Sequence, residues 1–410
     1  MATYAPDKIF APAKTIKELA RKVPTPFYIY DRQGIEDALA QISQWFIWAD
    51  AHQNYFPLRE NTNREILCLL GQTGSGVGVC NVMELKLAQE CGFSGQQLLY
   101  IPTGKDTEAE ALARELCATW LVNCPALLPE ELPENLILRY LPSDLRMTPM
   151  QTRNVGRSKN GFTRQQLLET LTALSVSDGI HIGLALEVNA YNVSVGAWRR
   201  KAEILDELSR EIEEKTSVRI KSWYLGEGPG LPYRPQAVVP DPAEEARAVE
   251  ALYAQLPADR RPTIFTGISK RLLEPHGLFI TKVLHLHSAY RTFLVVDGSM
   301  CQYVRPVLKQ AYRHISILGR DQIEGRKLYT VVGELPDEMD RFDQKGRMLP
   351  VAKPGDYCVI HDVGCGGRSM PLLYGFHSIP AEYLYQPDGS FTQIAPHRTA
   401  EQVREFLTAW

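Results

Sequence analysis

The sequence lacks most features of a metal, redox or membrane protein. It has eight cysteines, and no two of them form a Cys-x-x-Cys pair, so the sequence does not predict a zinc ribbon. Its apolar runs are much shorter than the roughly 20 residues that a transmembrane helix needs. The first residues lack the charged head and apolar core of a secretion signal. We therefore expect a cytoplasmic protein with no membrane partner, whose cysteines stay reduced.

A strong net charge is also missing. The 45 Lys and Arg residues and the 48 Asp and Glu residues nearly balance, which gives a formal charge of -3. Because nucleic-acid binding depends on an excess of positive charge, we expect no nucleic acid as a partner. Hydrophobic residues make up 44% of the 410 positions, an ordinary value for a globular protein of this length with two domains or a large barrel.

Two patterns divide the chain. Short apolar runs such as Gln97–Ile101, Ala118–Val122 and Leu136–Tyr140 alternate with amphipathic helical segments up to about residue 280. Strand-like runs separated by turn signals follow, for example at Asp297-Gly298. The pattern predicts an α/β protein with a (β/α)₈ barrel over 36–279. An antiparallel β-domain is expected from 280–410, with 1–35 adding the N-terminal strand.

Several motifs occur in the order of a known enzyme family. They are Thr25-Pro26-Phe27-Tyr28-Ile29-Tyr30-Asp31, Ser158-Lys159-Asn160-Gly161, Gly226-Glu227-Gly228-Pro229-Gly230-Leu231-Pro232-Tyr233, Val295-Val296-Asp297-Gly298 with Arg305-Pro306, and Gly355-Asp356 followed by Gly364. Along almost its whole length the chain resembles the fold type III, alanine racemase-like pyridoxal phosphate (PLP) enzymes of the diaminopimelate and ornithine decarboxylase group. The resemblance implies the same barrel and β-domain, and a head-to-tail dimer.

An arginine occupies the position of the family's cofactor lysine. The stretch Tyr55-Phe56-Pro57-Leu58-Arg59-Glu60-Asn61-Thr62-Asn63 resembles the family motif Tyr-Ala-Val-Lys-Ala-Asn-x-Asn, whose lysine forms the Schiff base with PLP. A guanidinium is not deprotonated at any useful pH. Arg59 therefore cannot form that imine.

Other positions that the resemblance assigns to the cofactor are also changed. The histidine that stacks on the PLP ring aligns with Glu187, or in another register with Gly183. The glycine-rich phosphate loop aligns with Gly226-Glu227-Gly228-Pro229-Gly230, which places a carboxylate among backbone N–H groups that would approach a phosphate. The family's Glu-Pro-Gly-Arg becomes Glu274-Pro275-His276-Gly277, which keeps the Glu that would face the pyridine nitrogen and loses the Arg.

The C-terminal part shows two further changes. The family loop Cys-Glu-Ser-x-Asp, which crosses the dimer interface, aligns with Pro336-Asp337-Glu338-Met339-Asp340 and keeps only the acidic residues. The phosphate-binding tyrosine of Gly-Ala-Tyr is Gly366. Together these changes predict that PLP binding is lost and that no cofactor is used.

Two interpretations of the remaining charges can coexist. Arg59 can pair with Glu187, Glu227 or Glu274 and fill the vacant cofactor space, because a buried charge must be paired. Alternatively, Arg59 binds the anionic group of a substrate, with Glu274, Glu338 and the glycines of the loop as further ligand contacts. In that interpretation Glu187, Glu227 or Asp337 moves protons.

Three functional hypotheses follow. The first is a cofactor-independent enzyme on a small amino-acid-derived substrate in a biosynthetic pathway. The second is a catalytically inactive pseudoenzyme subunit, paired with itself as a homodimer or with an active paralogue. The third is an atypical PLP-dependent amino-acid decarboxylase. The sequence leaves the substrate and the reaction open.

Overall fold

The computed structural model of the chain describes residues 8–142, 158–174, 179–187, 195–234, 237–320 and 325–409. Its helices are α1 (Ala13–Ala20), α2 (Arg32–Trp45), α3 (Arg64–Gln72), α4 (Val82–Glu90), α5 (Thr107–Glu115), α6 (Arg164–Ala173), α7 (Ala197–Thr216), α8 (Pro242–Tyr253), α9 (Lys270–Leu273), α10 (Arg305–Lys309) and α11 (Ala400–Thr408). Within the described ranges, no helix combines the length and the apolar content that crossing a bilayer requires.

Eight parallel strands close into a barrel, as the alternating pattern predicts. They are β2 (His52–Pro57), β3 (Gly76–Val79), β4 (Leu98–Tyr100), β5 (Thr119–Val122), β6 (Asn135–Arg139), β7 (His181–Ala185), β8 (Ile220–Tyr224) and β9 (Thr263–Thr266). Strands β3 and β5 are buried at every residue, because the barrel interior and the outer helices cover both faces. Inward-facing side chains such as Tyr55, Leu121 and Tyr224 fill the interior.

The remaining strands form a separate sheet. They are β1 (Phe27–Asp31), β10 (Gly277–Ser288), β11 (Thr292–Val296), β12 (Ile315–Ile317), β13 (Arg326–Val332), β14 (Arg347–Pro350), β15 (Tyr357–His361), β16 (Ala381–Tyr385) and β17 (Phe391–Ala395). The N-terminal β1 lies between β10 and β16, so both chain ends build this sheet as predicted. The sheet is not purely antiparallel, because β1 runs parallel to β16 and β11 runs parallel to β13.

Two backbone segments cross closely where the sheet meets the barrel. The N–H of Gly364 donates to the carbonyl of Glu274 at 3.2 Å, and the N–H of Val363 donates to the carbonyl of Gly277 at 3.1 Å. A Cβ on Gly277 would collide with the backbone of Gly364, and a Cβ on Gly364 would collide with the backbone of Leu273. This crossing holds the segment after α9 against the sheet, and it leaves no space for an arginine at position 277.

Candidate functional site

Charged side chains gather at the carboxyl ends of the barrel strands, where barrels of this type carry their sites. Arg59 lies in a short turn after β2, and Arg139 is the last residue of β6. Glu187 follows β7 by two residues, and Glu227 lies in the loop after β8. Lys270 begins α9 directly beyond β9. Arg59, Glu187 and Glu227, which the sequence singles out as site residues, therefore lie at the same end of the barrel.

Arg59 is exposed and forms no ion pair with a carboxylate in the part of the chain that the structure describes. Its Nη1 donates to Cys80 Sγ at 3.5 Å. Partial burial lowers the pKa of the guanidinium, but four acidic neighbours outweigh burial and raise the pKa above its ordinary value. These neighbours are Cys80, Glu60, Glu84 and Glu187. Arg59 is thus a permanent cation near several carboxylates that forms no ion pair with any of them in the described part of the chain.

Glu187 is paired with a different arginine. Arg139 Nη1 lies 3.4 Å from Glu187 Oε2, and Arg139 Nη2 donates to the backbone carbonyl of Glu187 at 2.9 Å. The Glu187 side chain keeps 32% of its surface exposed. Gly226 has a φ of +67°, and a Cβ on it would lie 2.9 Å from Glu187 Cγ, so only glycine lets this side chain rest on the loop.

Glu227 points into the protein rather than into solvent. It is 5% exposed, and its two oxygens accept hydrogen bonds from Ser269 N at 3.0 Å and from Ser269 Oγ at 2.6 Å. Burial raises the pKa of this carboxyl to about 7, although Lys270 and the Ser269 hydrogen bonds act in the opposite direction. A group with such a pKa can exchange a proton near neutral pH. Both of its oxygens, however, already have internal partners.

Two cations anchor the loop after β8 through its carbonyl oxygens. Lys201, fully buried in α7, donates to the carbonyls of Leu225 at 2.6 Å and Glu227 at 3.3 Å. Burial lowers the pKa of Lys201 to about 8. Arg271 donates through Nε and Nη2 to the carbonyls of residues 229 and 230, both at 2.8 Å.

The two other glycines predicted as ligand contacts have structural partners. A Cβ on Gly228 would lie 2.5 Å from Trp198 Cζ2, so the loop backbone packs directly on α7. Gly230 contributes the carbonyl that binds Arg271. The loop is therefore fixed from outside the barrel by packing and by hydrogen bonds.

A chain of five charged residues runs from the barrel into the sheet domain, and we call it the inner network. Lys270 and Arg305 pair with Glu60 at 2.9 and 3.1 Å, while Arg305 and Arg313 pair with Glu274 at 3.5 and 3.1 Å. Glu274 and Arg313 are almost completely inaccessible, with side chains 0% and 1% exposed. Burial raises the pKa of Glu60, but Lys270 and Arg305 outweigh burial and lower it overall.

No lysine presents an amine for a Schiff base at the place that the resemblance assigns. Arg59 occupies that position. Of the two buried lysines nearby, Lys270 is held as an ammonium by Glu60, and acidic neighbours raise its pKa despite its burial. Lys201 donates to backbone carbonyls beneath the loop. Neither amine is placed to replace the missing lysine.

The residues that the resemblance assigns to the PLP ring nitrogen and phosphate, Glu274 and Gly366, are also not arranged to contact them. Oε1 of Glu274 faces Arg313 and Arg305, and Oε2 accepts a hydrogen bond from the Tyr233 hydroxyl, so neither oxygen is left for a pyridine nitrogen. A Cβ on Gly366 would lie 2.5 Å from Arg305 Nη1, so Arg305 fills the space that a tyrosine would need there. The described side chains therefore do not fit PLP in the manner of the family.

The acidic loop after β13 makes local contacts. Asp337 accepts a hydrogen bond from the N–H of Met339 at 2.9 Å, and Glu338, with a side chain 91% exposed, pairs with Arg341. Asp340 is buried and accepts two backbone N–H groups. Within the described part of the chain, neither Asp337 nor Glu338 contacts a residue at the barrel mouth, and no cluster of three side chains could hold a metal ion.

Sequence reasoning missed the inner network, apart from Glu274. No pattern in the sequence points to Lys270 or Arg313, and Arg305 stands out only as part of a motif. One signal was present: Glu60 stands where the family motif has alanine. A carboxylate next to the lost lysine predicts a buried cation as its partner, and Lys270 and Arg305 are the cations that pair with Glu60.

Comparisons with known proteins agree with this fold. The chain matches the family model described as pyridoxal-dependent decarboxylase, C-terminal sheet domain, over residues 27–364. It is 26% identical to protein TabA of Pseudomonas amygdali pv. tabaci, with 92% of this chain and 90% of TabA aligned. It is also 26% identical to diaminopimelate decarboxylase of Campylobacter jejuni, with 87% and 90% aligned. Diaminopimelate decarboxylase from M. jannaschii in complex with L-lysine superposes with a TM-score of 0.86 at 20% identity, covering 94% of this chain and 92% of that one.

Proposed function

Because this chain belongs to the pyridoxal-dependent decarboxylase family, we propose that it is a PLP-independent enzyme that acts on an amino-acid-derived substrate in a biosynthetic pathway. The observation that carries the proposal is Arg59. It is an exposed guanidinium without a described carboxylate partner, at the position of the Schiff-base lysine. Such a group cannot form an imine, but it can bind a carboxylate through two hydrogen bonds.

The relatives suggest the class of substrate. Several of them are named diaminopimelate decarboxylase, after an amino acid that carries carboxylates. In our proposal Arg59 holds such a carboxylate, and Glu187, whose side chain is partly exposed, accepts or donates a proton beside it. Glu227 serves as a buried proton store because burial raises its pKa to about 7.

The proposed active form is a homodimer. The resemblance assigns the acidic loop to the dimer interface, and Glu338 is almost fully exposed there. Asp337 and Glu338 of one copy would then complete the site of the other. A monomer with full activity at low concentration would contradict this part of the proposal.

Absorbance and binding measurements test the cofactor and the ligand separately. The purified protein, alone and with added PLP, is expected to show no absorbance band that hydroxylamine reverses. Calorimetry with diaminopimelate and lysine is expected to show binding that is lost in Arg59→Met and kept in Arg291→Met, since Arg291 is exposed in the β10–β11 turn. A hydroxylamine-sensitive band would instead favour the atypical PLP decarboxylase. Equal binding by wild type and Arg59→Met would show that Arg59 does not contribute to ligand binding.

A pseudoenzyme subunit is the second candidate, and one observation favours it. Every carboxylate named for proton transfer at the barrel mouth has an internal partner: Arg139 for Glu187 and Ser269 for Glu227. A protein that only binds a partner subunit needs no accessible base. Co-purification with an active decarboxylase, together with no binding of either amino acid, would favour this alternative.

A further inference from the structure

Two arginines lie over one tyrosine ring at the edge of the sheet domain. The guanidinium carbon of Arg347 is 3.9 Å from the centroid of the Tyr312 ring, and that of Arg234 is 4.4 Å from it. Each contact is favourable by itself, because the face of the ring is negative. The two cations repel each other, however, and the ring provides no formal charge to offset them. We call these three residues the arginine clamp.

No carboxylate forms an ion pair with the arginine clamp within the described part of the chain. Neither Arg234 nor Arg347 forms an ion pair there, and Nε of Arg347 is buried without a hydrogen-bond partner. The nearby acid Asp343 is occupied with two backbone N–H groups. Burial lowers the pKa of Arg347 overall and Arg234 lowers it further, while Tyr312 and Asp343 act in the opposite direction. Buried or partly buried cations are normally paired, so this arrangement is one that an anion would stabilise.

The adjacent residues show what a paired version looks like. Arg313 lies over the ring of Tyr233 at 4.6 Å, and Glu274 neutralises it. Tyr233 and Arg313 directly neighbour Arg234 and Tyr312 in the sequence, so two cation–ring pairs lie side by side. The pair of Arg313 and Tyr233 has a carboxylate partner, and its arginine is buried. The pair of Arg234 and Tyr312 has no carboxylate partner in the described chain, and Arg234 is exposed to solvent.

We propose that the arginine clamp is a binding site for the oxyanion of a small molecule, a carboxylate or a phosphate group. Two guanidinium groups offer several N–H donors that suit either anion, and hydrogen bonds between charged groups are the strong ones. The Tyr312 ring holds both groups in place before the ligand arrives, which reduces the ordering cost of binding. This site does not depend on Arg59 or on the loss of PLP.

Titration calorimetry with inorganic phosphate and with succinate, at ionic strength held constant with chloride, tests the proposal. Wild type is expected to bind one of the two anions saturably, and the anion that binds identifies the chemistry of the ligand. Arg347→Met and Arg234→Met are each expected to weaken binding at least about tenfold, because a lost charge-assisted bond is worth more than the roughly 1.4 kcal/mol that corresponds to tenfold. Arg291→Met is the matched control and is expected to bind like wild type.

A purely structural role for the clamp predicts a different pattern. If the arginines only support the fold, their removal lowers the thermal midpoint. If the arginines bind an anion, phosphate or succinate raises the midpoint of wild type, and each methionine variant loses this increase. No saturable binding of either anion by wild type, or equal binding by Arg347→Met, overturns the proposal.

Discussion

The inner network and the arginine clamp contain the same type of cation within a few residues of each other, yet they differ in charge balance. Arg313 is 1% exposed and bound to Glu274, whereas Arg234 is exposed and has no carboxylate in the described chain. Burial accounts for the difference, because desolvating a guanidinium is tolerable only with a counter-charge. Exposed cations without an ion pair in the described chain, such as Arg59 and Arg234, are the ones available to ligands.

The largest effect is expected from removing the charge at the centre of the inner network. Glu274→Gln leaves Arg305 and Arg313 without their common carboxylate in a site that solvent hardly reaches. Breaking a buried ion pair from one side typically costs about 3–5 kcal/mol. We expect a loss of this size in the free energy of unfolding, measured by urea denaturation.

The matched control is Glu338→Gln, because that carboxylate pairs with Arg341 while 91% exposed. An exposed pair contributes roughly 0–1 kcal/mol, so this variant should unfold almost like wild type. If Glu274→Gln and Glu338→Gln lose similar free energy of unfolding, burial does not make the ion pairs of the inner network stronger than surface pairs.

The second prediction concerns pH and Glu227. Its native pKa of about 7 lies above the unfolded value of about 4.3, so the native state holds the extra proton between these values. Stability contributed by this group is therefore lost as pH rises through the window from about 4.5 to about 7. Glu227→Gln lacks this titration and should gain about 3 kcal/mol relative to wild type across the window. Denaturation at pH 4.5 and 7.5 measures the gain, and a constant difference between the two proteins would show that folding does not raise the pKa of Glu227.

The fold was more predictable from the sequence than the partners of individual charges. Alternating apolar and amphipathic segments are a local property, and they were enough to predict the barrel and the second sheet. The changed identity of Arg59 was also visible, since a guanidinium cannot form an imine in any environment.

The pairing was not predictable, because it depends on contacts between residues distant in the chain. Glu60 meets Lys270 and Arg305, more than two hundred residues later in the chain, only after the barrel closes on the sheet. The expected pairing of Arg59 with Glu187, Glu227 or Glu274 does not occur, because each carboxylate has a nearer partner.

The third prediction tests the backbone crossing that supports the inner network. Gly277→Ala places a Cβ against the backbone of Gly364, where no flexible side chain can move aside. Overpacking of this kind costs about 1–3 kcal/mol. Gly104→Ala is the control, since nothing lies within 4 Å of its added Cβ, and it should be neutral or slightly stabilising. Equal stability of the two variants would show that the segment after α9 can shift, and that position 277 could accept an arginine.

The smallest expected effect on stability is that of Arg59→Met. Arg59 is exposed and has no described ion pair, and its one hydrogen bond is to a thiol at 3.5 Å. Surface substitutions of this kind usually change stability by less than about 0.5 kcal/mol. We therefore expect urea denaturation of Arg59→Met to match wild type, in contrast to Glu274→Gln. If Arg59→Met and Glu274→Gln lose similar stability, the Arg59 guanidinium has a structural role at the barrel mouth, like the cations of the inner network. It would then not be a cation that is free to bind a ligand.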